Sequence, residues 1–165
     1  MAKVFISYAH KDEEFKNSLI EHMSSLKRSG LIKEWNDRKI EAGKNWKNEI
    51  SDNLQSATII LFLISASFLD SDYCIEIEAK TALEMHSEGR ALLIPIVIRP
   101  IYWEHSEFYK LQALPKDAKA VATWDNEDEA WLDVIQGLNR SITNFKPVTI
   151  MNKIINSDID NEIGP

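Results

Sequence analysis

Two glutamates two residues apart, Glu76 and Glu78, sit among the apolar residues Ile75, Ile77 and Ala79. At about 3.6 residues per helical turn, Glu78 borders a line formed by Ile75, Ala79 and Ala82 and is expected to be partly sheltered. A sheltered carboxylate can stabilise a developing positive charge or take a proton. The other reactive side chains form no comparable grouping. Ser65 and Ser67 lack obvious His and acid partners for a nucleophilic triad and read better as turn or capping residues. His10, His22, His86 and His105 are scattered without metal-ligand spacing, and the single cysteine, Cys74, reads as a small packed side chain.

The elements that must position these residues alternate between strand and helix. Lys3 to Tyr8, Leu31 to Trp35, Ala57 to Ile64, Ala91 to Ile98 and Ala118 to Thr123 read as strands. Ala57 to Ile64 is apolar on both faces, as a central strand of a covered sheet is, while Pro95 suggests an edge or bulge in the fourth strand. Helices are predicted after an Asp12 cap up to Ser29-Gly30, around Trp46, Ile50 and Leu54, from about Tyr73 to His86, and from Asp128 to Ile142. Such alternation predicts α/β architecture, a parallel sheet with helices on both faces. Ligands then bind at the carboxyl ends of the strands, where Tyr8 and His10, Asp37 to Glu41, Ser65, Tyr73 and Trp103 fall.

Composition narrows the partners. A chain of 165 residues with a formal charge of -7 has no basic stripe for nucleic acid or anionic membrane, and one cysteine excludes a disulfide framework. No signal peptide or membrane-length apolar run is visible, so a cytoplasmic setting is expected. Ser7-Tyr8-Ala9-His10 is no Gly-x-Gly-x-x-Gly turn, which argues against hydride transfer, and Leu63-Ile64-Ser65 lacks the aspartate of a phosphoreceiver. Residues 1–145 read as one domain, and 146–165 as a linker or the start of a following region.

Four segments in order resemble the boxes of TIR (Toll/interleukin-1 receptor) domains, bacterial members in particular. They are Val4-Phe-Ile-Ser-Tyr8 with Asp12-Glu13, Trp35-Asn-Asp-Arg-Lys-Ile-Glu-Ala-Gly43 with Trp46, Ile64 to Cys74 with Glu78-Ala-Lys-Thr-Ala-Leu83, and Ile94 to Trp103 with Leu111-Gln-Ala-Leu-Pro115. The resemblance implies a flavodoxin-like sheet of five parallel strands and, in many members, hydrolysis or cyclisation of NAD, which is substrate and not cofactor. It places the catalytic carboxylate at Glu78 in preference to Glu76, because Glu-Ala-Lys-Thr-Ala-Leu resembles the segment after the family's catalytic glutamate. Nicotinamide leaves as a neutral molecule, so one carboxylate binding ribose and stabilising an oxocarbenium ion suffices. Tyr8, Trp46 and Trp103 are expected to stack on substrate rings, with Ser65 and Tyr73 beside them. Asp37, Lys39 and Glu41 lie in the loop that family members call the BB loop, through which TIR domains assemble and complete the site. The resemblance further implies a bacterial effector that depletes NAD in defence against phage; its alternative is a TIR adaptor that assembles without catalysis.

Overall fold

The computed structural model describes residues 1–36 and 52–148, the side chains of Glu34, Trp35 and Asn36 excepted. The strands among them are β1 (Ala2–Ser7), β2 (Ile32–Asn36), β3 (Ile59–Ile64) and β4 (Leu92–Val97), all parallel in the order β2-β1-β3-β4. The helices are α1 (Glu13–Arg28), α2 (Ala66–Asp70), α3 (Lys80–Ser87) and α4 (Glu127–Asn144), with a π-helical turn, Tyr73–Ala79, leading into α3. Every residue of β3 is buried, as its two-sided apolar sequence requires of a central strand.

Alternate side chains of β1, β3 and β4 feed two cores. Val4, Ile6, Leu61, Leu63, Ile94 and Ile96 pack beneath α1 and α4, with Leu19, Met23, Trp131 and Leu138. On the other face Phe5, Ile60, Phe62, Ile64, Leu93 and Val97 meet Phe68, Cys74, Ala79, Ala82 and Met85. The glycine expected to stop α1 does so: Gly30 has φ +80, and the next residue, Leu31, donates to Leu26 O at 3.1 Å. Asn126 caps α4 by accepting from Glu129 N at 3.0 Å.

One expectation fails. The described residues form four strands rather than five, because Val121–Thr123, inside the predicted fifth strand, is a 3-10 turn. The reason lies on β4. Leu92 N and Ile98 N donate to Thr58 O and Ile64 O toward β3, so the odd-numbered amides face the outer edge, where Val97 N donates to Leu114 O at 2.8 Å. Pro95 is in that outward set and has no N–H to offer. Only its carbonyl pairs, with Leu114 N at 2.9 Å, and Pro115 follows at once without an N–H of its own. A single bridge, Ile96 to Leu114, and one bond from Ala122 N to Ile98 O at 3.0 Å take the place of a fifth strand.

Two smaller differences concern helices. The predicted loop Ser65 to Asp72 contains α2, and the predicted helix from Tyr73 begins as a π-helical turn. The helix expected around Trp46 and Ile50 lies outside the described residues except near its end, where Leu54 is buried. After α4 the chain returns to the far end of α3, Val148 N donating to Gly89 O at 2.8 Å.

Candidate functional site

The strand order reverses between β1 and β3, and an open α/β sheet forms its crevice at the carboxyl ends there. Tyr8, Ser65 and Arg99 each lie one or two residues beyond a strand in this region. Tyr8 is only 5% exposed; it packs on the α1 side, with Lys16 Nζ 5.3 Å from its ring centroid. Trp103 is equally buried, stacked on Phe108 at 6.1 Å and meeting Tyr109 edge-on at 4.9 Å. Two of the three aromatic rings expected to stack on substrate thus have protein neighbours on them already. Tyr73 is half-buried and packs against the core around Phe62 and Phe68.

Glu78 is completely buried, whereas Glu76 is exposed. Residues two apart on a helical turn point to nearly opposite sides, and here that turn is π-helical. It is wider than an α-helical turn, π-helical turns recur at functional sites, and this one puts Cys74, Glu78 and Ala79 on the inner side with Glu76 and Ile77 outside. Cys74 Sγ approaches Tyr8 O at 3.6 Å, which ties the same inner stripe to the end of β1. Glu76 instead lines an outward groove of about 450 Å³ with Lys80, Leu83, His105 and Phe108, and Glu78 is not part of its wall. Glu76 therefore faces the outer groove, and of the two only Glu78 lies inside the fold.

The structure also assembles a cluster that sequence reasoning did not single out. Asp12, predicted as a helix cap, makes no capping bond; the residue is buried and its carboxylate turned across the strand ends. Oδ2 accepts from the Ser65 hydroxyl, and Oδ1 accepts from Arg99 Nε at 3.0 Å and Nη2 at 2.8 Å. Arg99 Nη2 also donates to Ser67 Oγ at 3.0 Å. Ser65 in turn caps α2, accepting from Phe68 N at 3.1 Å, so its hydroxyl is used on both sides within the protein. One buried carboxylate thereby joins the loops after β1, β3 and β4. The available signal was Arg99 itself, a cation directly following a strand as apolar as Leu92 to Ile98.

Asp37, Lys39, Glu41 and Trp46 lie outside the described residues. Among the described residues no three His, Cys, Asp or Glu side chains converge as a metal ion requires, and no helix is long and apolar enough to cross a membrane. Two carboxylates among the described residues are held away from water, Asp12, which is engaged by Arg99 and Ser65, and Glu78, and a field acts at higher strength there than in solvent.

A parallel sheet in this strand order with helices on both faces defines a doubly wound α/β module. The TIR domain profile matches residues 4–135, and the chain belongs to the TIR domain family. It is 43% identical over 141 residues to the uncharacterized protein y4lF of Sinorhizobium fredii, covering 86% of this chain and 44% of that protein. The chain thus spans less than half the length of that relative. The TIR domain of the Toll-related receptor TRR-2 from Hydra magnipapillata has a similar fold, with a TM-score of 0.62 at 21% identity over 87% of this chain and all of that one.

Proposed function

We propose that this domain cleaves the bond between nicotinamide and ribose in NAD, with Glu78 as its catalytic residue. The observation that carries the reading is the burial of Glu78, 0% exposed, on a π-helical turn linked to the end of β1. Burying a carboxylate costs free energy that a purely structural position could avoid with an apolar side chain. In the reaction the carbon–nitrogen bond breaks with its electron pair going to nicotinamide, which departs neutral. The ribose is left electron-poor, and Glu78 stabilises that cation and orients the ribose hydroxyls until water, or an internal nucleophile in the cyclising variant, adds. NAD is consumed and no separate cofactor is needed.

Activity is switched by assembly with other TIR domains through the segment that holds Asp37, Lys39 and Glu41, which completes the substrate site, while Trp46 stacks on a substrate ring. The setting is bacterial cytoplasm, and the role is defence signalling. The test is nicotinamide release from NAD by protein at high concentration or under crowding, comparing wild type with Glu78→Gln and Glu76→Gln. Release lost only in Glu78→Gln supports the reading; release lost only in Glu76→Gln moves the catalytic role to the outer groove.

A second reading, a TIR adaptor without turnover, draws on the packing of Tyr8 against Lys16 and of Trp103 against Phe108. Assembled protein that releases no nicotinamide would favour it.

A further inference from the structure

Arg99 is held along one edge only. Its Nε and Nη2 are bonded to Asp12 Oδ1, and Nη2 also to Ser67 Oγ. Its other terminal nitrogen, Nη1, has no partner among the described residues. The Arg99 side chain is 37% exposed against 2% for Asp12, so the side of the guanidinium away from Asp12 is the part that meets solvent. Two N–H donors are therefore presented at the end of β4, beside the ends of β1 and β3 that Asp12 and Ser65 bring to the same cluster.

This is a preorganised anion donor. A guanidinium fixed by a buried carboxylate loses little side-chain freedom when its outer edge binds, and its planar geometry suits a phosphate oxygen. Asp12 offsets the charge of Arg99, so the contact acts through directed hydrogen bonds rather than long-range attraction. Such a donor is of use in a chain of formal charge -7, which repels anions at a distance.

We infer that Arg99 binds the diphosphate of a dinucleotide lying across the strand ends, with Asp12 and Ser67 as positioning residues that fix its guanidinium. The inference rests on the reading of NAD as substrate and extends it to a second subsite. The experiment is calorimetric binding of ADP-ribose, which carries the diphosphate, and of adenosine, which does not, to wild type, Arg99→Lys and Arg99→Gln. Arg99→Gln is expected to weaken ADP-ribose about tenfold to a hundredfold, with Arg99→Lys in between and adenosine unaffected. No binding of ADP-ribose to wild type, equal affinity in the variants, or equal weakening for both ligands would overturn it.

Should the variants not fold, the Arg99 Nε–H resonance of the wild-type protein is followed on adding inorganic pyrophosphate; an unmoved resonance overturns the inference. Wild type that binds ADP-ribose through Arg99 without cleaving NAD would sink the catalytic reading and leave this subsite standing. Cleavage of NAD with unaltered ADP-ribose affinity in Arg99→Gln would do the reverse.

Discussion

A β-carbon built on Gly137 would run into Leu114 Cδ2 and lie 3.0 Å from Cδ1, so α4 passes Leu114 at a distance that only glycine permits as the side chain stands. Leu114 is the residue that bridges β4 where a fifth strand was expected. Glycine inside an exposed helix costs roughly 1 kcal/mol relative to alanine, and here it serves close packing. Gly137→Ala should therefore fail to stabilise the domain and instead cost about 1 kcal/mol, the overpacking exceeding the helical gain. In a Leu114→Ala background the same change should become stabilising, a reversal of sign that a double-mutant cycle of urea unfolding will detect. Additive effects would refute the packing argument.

Removing the charge of Asp12 leaves Arg99 without its buried partner. Breaking a buried pair costs about 3–5 kcal/mol, but Arg99 is 37% exposed and can turn to water, so Asp12→Asn should destabilise by about 2 kcal/mol. Ser67→Ala, which deletes one half-buried contact, should cost under about 1 kcal/mol. Denaturant midpoints will rank the two, and equal losses would show that the cluster is not organised around Asp12.

For Glu78, turnover and folding should separate. Glu78→Gln keeps the side-chain volume and removes the charge, so nicotinamide release should fall at least about a hundredfold while the far-ultraviolet circular dichroism stays as in wild type. A variant with near-normal release would remove Glu78 from the mechanism.

His86 gives the domain a pH dependence away from the strand-end site. Its Nδ1 accepts from Leu93 N at 3.1 Å, and burial lowers its pKa below the ordinary 6.5. The unfolded chain takes up the proton first as the solution is acidified. The stability due to neutral His86 is thus present above about pH 6.5 and is lost as pH falls through the lowered folded value. Melting temperature should drop on going from pH 7.5 toward 5.5, and His86→Gln should flatten that slope. An unchanged slope in the variant would place the dependence elsewhere.

Much of this architecture is legible in the residues. The all-apolar run Ile59 to Ile64 and the Gly30 stop announce a covered parallel strand and a helix end, because burial on both faces and a left-handed turn leave few alternatives. The fifth strand was misjudged because Ala118 to Thr123 has strand-like composition, whereas its pairing depends on the direction in which Pro95 faces, a property of register and not of local sequence. Glu78 was placed by the resemblance and by its apolar neighbours Ile75, Ala79 and Ala82, and its opposition to Glu76 follows from their two-residue helical spacing; the π-helical form of the turn is what a period of 3.6 does not describe. Asp12 looked like a cap because aspartate before a helix usually is one. Its partners, Ser65 and Arg99, lie 53 and 87 residues away, beyond any local pattern.

The edge of β4 has a consequence for how copies of this domain meet. With Pro95 lacking an outward donor and Leu114 and Ala122 occupying the neighbouring groups, that margin offers no open ladder for a foreign strand to join. Among the described residues, a continuous cross-molecular sheet of the kind that builds amyloid is therefore blocked on this side of the domain.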